Sequence, residues 1–319
     1  MFATYVHDLD PVLLPIHGSL ALRWYGLAYL LGFVAGFLLL RSLARRGIGV
    51  LRPEQTGDFI AAAAMFGVFL GGRLGYLFFY QLPKSGWHVL LDDPLMVLRV
   101  WEGGMASHGG LLGLGLFTAW YAHRHQISWP MLADNLCVVG PLGLFFGRIA
   151  NFINGELYGR ITDVPWAVKF PLSIAEEPPE VQAMAWQAVA EIDPKLADAP
   201  LEKIIAAARQ QPEISATFAE YLQPRHPSQL YEGLLEGLLI FIILWVLRLR
   251  FPKAPAGMLA GLFFLLYATF RIFCETMREP DAAMIGGLTK GQFFSLFLYL
   301  AAAGFFACAW RKMKSTRNS

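Results

Sequence analysis

Seven apolar runs, each of about 20 residues, limit what this chain can fold into more than any other feature. A helix of about that length crosses the ~30 Å hydrocarbon core of a bilayer, whereas a buried helix of a soluble core is usually shorter. The composition agrees, because 56% of the residues are hydrophobic and only 16% are charged, against roughly 25% charged in soluble domains. The sequence therefore predicts an all-α integral membrane protein with seven transmembrane helices, over residues 19–40, 57–80, 104–121, 132–153, 229–247, 257–274 and 291–310.

The basic residues orient the predicted helices. Twelve lysines and arginines follow the odd-numbered spans, and such residues mark the cytoplasmic side of a membrane protein. The N-terminus is then outside and the C-terminus is cytoplasmic. The first residues lack the basic stretch of a cleaved signal peptide, so we expect the first helix to be retained. The twelve residues are Arg41, Arg45, Arg46, Arg52, Arg124, Arg248, Arg250, Lys253, Arg311, Lys312, Lys314 and Arg317.

The longest predicted loop lies outside the cytoplasmic membrane in this orientation and differs in composition from the spans. Its residues 176–223 include nine acidic and three basic side chains, which favours a small soluble head between helices four and five. Periodicity predicts helices near 180–191, 200–210 and 213–222, and Val164–Phe170 is predicted as a short strand. The predicted domains are helices one to four (1–154), the external, periplasmic head (155–227), and helices five to seven with a basic cytoplasmic tail (228–319).

Polar side chains gather at one depth of the predicted bundle. Odd-numbered spans begin at the outer surface and even-numbered spans end there. Six of the seven spans carry a polar or ionisable residue at that level, and one shared cavity in the outer third of the bilayer accounts for all of them. These residues are Tyr25, Arg73, Tyr76, Tyr80, His108, Arg148, Asn151, Tyr231, Glu232, Glu236, Tyr267, Arg271 and Glu275.

Two arginines of this layer have partners on their own helical face. An arginine on a membrane helix costs roughly 3 kcal/mol, so it is expected to face a polar cavity or a partner. Arg148 has Asn151 three residues later and Arg271 has Glu275 four residues later, spacings that share one face. For Arg73, snorkelling to the outer headgroups is the favoured reading. Two guanidiniums at this depth suit the phosphate of a phospholipid.

His108 follows a glycine-rich stretch at the start of span three. A lone histidine on an apolar helix is more often a structural residue. His108 is, however, the histidine that the topology places within a span at the level of the two arginines. An imidazole exchanges a proton near neutral pH, as a general base for a thiol or a hydroxyl must.

Several other chemistries are excluded or disfavoured by the sequence. There is no HExxH zinc motif, and Cys137, Cys274 and Cys308 have no CxxC spacing, so neither a zinc protease site, a zinc cluster nor a disulfide framework is indicated. The net charge of +2 is too small to indicate a nucleic-acid partner. A phospholipid or anion transporter is the alternative function for the same polar layer. Transport needs polar groups along a continuous path, and the cytoplasmic half of the spans is nearly bare.

Residues 147–160, at the end of span four, read GRIANFINGELYGR. With this segment, which is similar to the family signature, the chain resembles the bacterial phosphatidylglycerol:prolipoprotein diacylglyceryl transferases. Five further blocks match in order, whereas residues 172–222 carry no strong motif. Ala150 departs from the pattern, because the family commonly has glycine there. The other blocks are WYGLAYLLGF, GVFLGGRLGYLFFY, WEGGMASHGGLLG, PRHPSQLYEGLLEG and YATFRIFCETMREPD.

The resemblance implies transfer of the sn-1,2-diacylglyceryl group from phosphatidylglycerol to the lipobox cysteine thiol of a prolipoprotein, giving a thioether and glycerol phosphate. The implied partners are phosphatidylglycerol, the prolipoprotein signal peptide and membrane lipids, with no cofactor and no nucleic acid. The implied location is the bacterial cytoplasmic (inner) membrane, with several spans and an active site towards the outer, periplasmic leaflet. The candidate catalytic residues are His108, Arg148 and Arg271. The candidate substrate-binding residues are Tyr25, Asn151, Asn154, Glu156, Gly159 and Tyr267. Arg73 and Glu275 are added because they lie at the same predicted depth in the membrane.

Overall fold

The computed structural model describes residues 4–17, 20–99, 103–280, 284 and 286–317, and most of them are helical. In this part of the chain, three short strands precede the first helix and two more lie between residues 155 and 227. The strands are β1 (Tyr5–Val6), β2 (Val12–His17), β3 (Leu20–Arg23), β4 (Val168–Lys169) and β5 (Pro224–Arg225). The helices are α1 (Trp24–Arg45), α2 (Gln55–Ser85), α3 (His88–Asp92), α4 (Ser107–Arg124), α5 (Trp129–Asn154), α6 (Pro179–Ile192), α7 (Leu201–Gln210), α8 (Pro212–Glu220), α9 (Ser228–Arg250), α10 (Met258–Glu275) and α11 (Lys290–Arg317).

Six helices in the described part of the chain are long and apolar enough to cross a membrane: α1, α2, α5, α9, α10 and α11. The prediction of a mostly helical integral membrane protein is confirmed at this level. The predicted third span corresponds to α4, which is a continuous helix but is not among the six. Its four glycines and two histidines lower its hydropathy. The count of seven spans and their orientation remain predictions.

The mostly helical chain also contains short strands, and the first helix begins later than the predicted span. Leu20–Arg23 pairs as antiparallel β3 with β2, and the helix begins only at Trp24. Leu20, Ala21 and Leu22 are as compatible with a strand as with a helix, because a short apolar run has no distinguishing period. The strand expected within 164–170 is also shorter than predicted: β4 pairs with β1 in parallel and with β5 antiparallel.

The described chain divides into two compact units, which we treat separately. The first unit comprises residues 1–32, 141–243 and 264–301, and the second comprises residues 33–140, 244–263 and 302–319. The first unit therefore contains the three-stranded sheet of β1, β4 and β5, the two-stranded sheet of β2 and β3, the helices α6 to α8 and the signature segment. The second contains α2 and α4.

Helices α6, α7 and α8 of the first unit lie within two residues of their predicted bounds. They pack around a hydrophobic core of their own. Phe218 and Ile204 are completely or almost completely buried there, and the Trp186 indole donates to the carbonyl of Ala199 at 3.0 Å. This core gives the segment between α5 and α9 its own hydrophobic interior. The buried residues of this core are Ile174, Ala185, Val189, Leu196, Ala199, Ile204, Ile214, Phe218 and Leu222.

In the second unit, Asp134 caps a helix other than its own. The sequence suggests an interfacial or helix-start residue for Asp134. The structure buries its side chain completely within the unit. Its carboxylate accepts the backbone N–H of Gly257 at 2.8 Å and of Ala260 at 2.7 Å. These donors lie at the start of α10, where backbone N–H groups lack partners within the helix.

Candidate active site

The signature segment ends α5 with a turn that returns the chain to the helix end. Gly155 has a φ of +69°, a conformation that glycine adopts without steric cost. The N–H of Gly155 donates to the carbonyl of Phe152 at 2.9 Å, and that of Glu156 donates to the carbonyl of Asn151 at 3.2 Å. These bonds form a helix-terminating motif with a left-handed residue. Glu156 is thereby placed beside the last turn of α5.

This turn joins three predicted site residues in one hydrogen-bonded group. The amide of Asn151 donates to Oε1 of Glu156 at 2.8 Å. The Tyr25 hydroxyl, at the start of α1, donates to the same carboxylate oxygen and accepts from the Asn151 amide. Glu156 therefore orients two polar groups from different helices.

A second group is built around Glu232 of α9, whose side chain is fully buried. Its Oε2 lies 2.6 Å from Nη2 of Arg148 and 2.9 Å from Nη1 of Arg271. Nη1 of Arg278 donates to Oε1 at 3.0 Å. One carboxylate thus holds three guanidiniums. Because Arg148 and Arg271 meet at a single oxygen atom, their guanidiniums lie next to each other.

Two more carboxylates complete this cluster. Glu236 lies one turn after Glu232, 3.7 Å from Arg148 and 3.6 Å from Arg271. Glu275 pairs with Nη2 of Arg271, as the four-residue spacing predicted. We call these six residues, Arg148, Arg271, Arg278, Glu232, Glu236 and Glu275, the ion cluster.

Close packing of α9 on α5 explains how the ion cluster forms. A Cβ added at Gly237 would lie 2.7 Å from the backbone of Phe145, so only glycine lets the helices approach this far. Gly233–Leu239 is a π-helical turn, which changes the direction of the side chains that follow. Glu236 lies within this turn, directly before Gly237. The acidic side chains of α9 therefore reach Arg148 of α5.

The remaining predicted site residues of the first unit have different roles. Tyr267 of α10 interacts electrostatically with Arg148, Arg271 and Glu236. Oδ1 of Asn154 is buried and accepts no hydrogen bond from the described residues. Gly159 donates to the carbonyl of His226 at 2.8 Å, and a Cβ there would lie 2.6 Å from Cβ of that histidine. This close packing explains why residue 159 is a glycine. The contact of Gly159 with lipid remains a prediction.

Arg73 and His108 belong to the second unit. Arg73 does not snorkel, since it is 4% exposed and its guanidinium donates to the carbonyls of Met96, Val97, Gly103 and Gly104. It holds the segment that precedes α4. His108 lies in the first turn of α4 with an exposed side chain. The prediction that His108 faces the two arginines, and that Arg73 binds substrate, stays a prediction.

Sequence reasoning placed Glu232 and Glu236 in the outer polar layer but did not include them among the site residues, and it missed Arg278. The available signal was the pair of glutamates four residues apart in an otherwise apolar helix, because intramembrane carboxylates mark functional sites. Arg148 and Asn151 were expected to share a network. They bond instead to separate partners, Glu232 and Glu156 respectively.

The ion cluster is suited to binding an anion through guanidinium N–H groups that its carboxylates leave unused. The side chains of Arg148 and Arg271 remain 20% and 14% exposed, whereas Glu232 is fully buried. A guanidinium has five N–H donors, and the contact of Arg148 with Glu232 engages only Nη2. A phosphate that reaches the exposed side can therefore be bound by both arginines. The described residues contain no group of three or more His, Cys, Asp or Glu side chains arranged to hold a metal ion.

Comparisons with known proteins extend over almost the whole chain. The family model described as prolipoprotein diacylglyceryl transferase matches residues 11–308. A protein of Sodalis glossinidius named phosphatidylglycerol–prolipoprotein diacylglyceryl transferase is 41% identical over 311 residues, covering 96% of this chain and 94% of the relative. The proteins of the same name from Proteus mirabilis and Bdellovibrio bacteriovorus are 41% and 40% identical, covering 97% and 92% of this chain and 95% and 91% of the relatives.

Proposed function

The chain belongs to the prolipoprotein diacylglyceryl transferase family, and we propose that it transfers the sn-1,2-diacylglyceryl group of phosphatidylglycerol to the lipobox cysteine of prolipoproteins. The names of the relatives carry the reaction class. One observation supports the site: Arg148 and Arg271 meet at a single buried carboxylate oxygen. They are the pair of cations that a phosphate at this site needs.

In the proposed reaction, the cysteine sulfur attacks the glycerol carbon that carries the phosphate. The C–S bond forms, the C–O bond breaks, and its electron pair remains on the phosphate oxygen of glycerol phosphate. Arg148 and Arg271 stabilise that developing charge. A thiol has a pKa of about 8.5 and reacts as the thiolate. His108 is the proposed residue that receives the thiol proton or positions the thiol, and Asn151, Asn154, Tyr25 and Tyr267 orient the lipid head.

The membrane arrangement is part of the proposal. The twelve basic residues after the odd-numbered spans support an external N-terminus and a cytoplasmic C-terminus. The site then faces the outer leaflet of the inner membrane, and α6 to α8 form an external head. Both substrates are held in the membrane, so lipid and signal peptide enter laterally between helices. Cross-linking of a lipobox peptide to the cytoplasmic side alone would contradict this arrangement.

The test is reconstitution of the purified protein with phosphatidylglycerol and a lipobox peptide, followed by mass spectrometry. We expect a diacylglyceryl adduct on the cysteine. Arg148→Ala and Arg271→Ala should each lower the rate by about 10² to 10³, as loss of an oxyanion donor does. Arg46→Ala is the matched control, because Arg46 is exposed and lies outside the first unit. His108→Ala should lower turnover; unchanged turnover would remove His108 from the mechanism.

The transporter alternative is tested with the purified protein reconstituted in phosphatidylglycerol vesicles. Fluorescently labelled phosphatidylglycerol reports movement between leaflets. Lipid movement without any peptide adduct would overturn the transferase proposal in favour of transport.

A further inference from the structure

The ion cluster is electrically balanced before any substrate binds. Its described residues comprise three arginines and three glutamates, and each arginine has a carboxylate within 3.0 Å. The phosphodiester of phosphatidylglycerol adds one negative charge. An uncompensated charge in a medium of low dielectric constant is costly, and a nearby carboxylate normally responds by binding a proton. A phosphodiester that enters the cluster is therefore expected to bring a proton with it.

Glu236 is the carboxylate best placed to take that proton. Glu232 accepts three guanidiniums, and Glu275 pairs directly with Arg271. Glu236 has only the longer contacts of 3.6 and 3.7 Å, and its side chain is 1% exposed. Its Oε1 accepts no hydrogen bond from the described residues. The negative charge of Glu236 is thus the least stabilised by direct hydrogen bonds.

We infer that Glu236 binds one proton from solvent when the lipid phosphate binds between Arg148 and Arg271. The carboxyl group then presents an O–H donor to the phosphate in place of a negative charge. No covalent bond changes in this step, and the cluster with its ligand keeps the net charge of the empty cluster. The inference rests on the proposed function and adds a positioning residue for its lipid substrate.

The surroundings of Glu236 support this response. Arg148 faces it from α5, and Arg271, Tyr267 and Cys274 interact with it electrostatically from α10. Arg278 contributes from beyond the end of α10, and Glu232 from its own helix. Arg271 and Arg148 are the main support for its ionised form, and Glu232, the charge next to it on its own helix, is a like charge that opposes it. A phosphate that engages those arginines weakens the support for that ionised form.

The experiment measures binding of dihexanoyl phosphatidylglycerol to the detergent-solubilised protein between about pH 5 and pH 9. This soluble lipid remains a monoanion over the range. For one coupled proton, the Kd of the wild type should rise about tenfold per pH unit above the pKa of Glu236. Glu236→Gln should bind with a Kd that changes little with pH. Calorimetry in two buffers of different ionisation enthalpy should show uptake of up to about one proton by the wild type and a much smaller uptake by the variant.

Two controls keep the result interpretable. Glu213→Gln removes an exposed carboxylate of α8 and should keep the wild-type pH dependence. Glu236→Asp keeps a titratable group, so it should keep the slope even where affinity drops, whereas a purely structural role predicts a loss of affinity at every pH. A slope that persists in Glu236→Gln would overturn the inference while leaving lipid binding and transfer intact. Absence of lipid binding by the wild type at every pH would overturn both proposals.

Discussion

Glu232→Gln is the substitution that tests the ion cluster most directly. The carboxylate offers Oε1 to Arg278 and Oε2 to both Arg148 and Arg271. A glutamine of the same shape offers one oxygen, and its NH2 group must then point at one side of the cluster. At least one guanidinium therefore faces a donor, and the cluster gains a net positive charge.

The loss of stability expected for Glu232→Gln follows from the burial of Glu232 and from the number of its ionic contacts. Removing one partner of a buried ion pair costs about 3 to 5 kcal/mol, because the other charge stays buried without compensation. Glu236 and Glu275 still support Arg271. We therefore expect a loss at the lower end, about 3 kcal/mol. An anion should replace the missing charge, so glycerol 3-phosphate should stabilise Glu232→Gln more than it stabilises the wild type.

The assay is thermal unfolding of the purified protein in detergent, followed by intrinsic fluorescence, with and without glycerol 3-phosphate. Ligand that binds only the folded state raises stability by RT ln(1 + [L]/Kd), so the shift reports affinity. Glu213→Gln is the control for loss of a carboxylate at an exposed position. A variant as stable as the wild type, or one that glycerol 3-phosphate stabilises less, would refute the assignment of Glu232 as the shared counter-ion.

Three further predictions concern stability and use the same unfolding assay. Gly113→Ala should cost about 1 to 3 kcal/mol by overpacking, because its Cβ would lie 2.7 Å from Cα of Gly71. Gly115→Ala should cost nothing, because a Cβ there would meet no atom within 4 Å apart from its chain neighbours and the nearby backbone of its own helix. Asp134→Ala should cost about 1 to 3 kcal/mol by leaving two backbone donors of α10 unsatisfied, and Asp134→Asn should cost less; equal stability of both variants and the wild type would contradict the capping role. Burial lowers the pKa of His7 from its usual 6.5, so the unfolded chain binds a proton that the folded chain does not, and stability should be complete above about pH 6.5 and fall below it. His7→Gln should show a smaller loss between neutral and acidic pH, and an identical loss would exclude His7 as its source.

The helices and their polar residues were predictable because each depends on local sequence. A run of about 20 apolar residues has few alternatives to a membrane helix, and an arginine within it requires a polar partner. Arg271 and Glu275 could even be paired from spacing, since four residues complete one helical turn. The structure confirms this pair.

The partners across helices were not predictable in the same way. Whether Arg148 meets Asn151 of its own helix or Glu232 of another depends on how the helices rotate and how closely they approach. A π-helical turn in α9 and the contact of Gly237 with Phe145 decide both quantities. Neither feature can be recognised from the spacing of apolar residues. A π-turn adds only one residue to the spacing of an otherwise ordinary helix, and a contact between two helices does not follow from the sequence of either one.

A balanced ion cluster also bears on how the product leaves the proposed site. The substrate phosphodiester carries one negative charge, whereas glycerol phosphate is a monoester whose second pKa is about 6, so it carries nearly two at neutral pH. Glu232 and Glu275 remain beside the arginines that bind the phosphate. Their repulsion is modest for the diester and larger for the dianion, so the same carboxylates that neutralise the empty site favour release of the product. A site of arginines alone would bind the more highly charged product more tightly than the substrate.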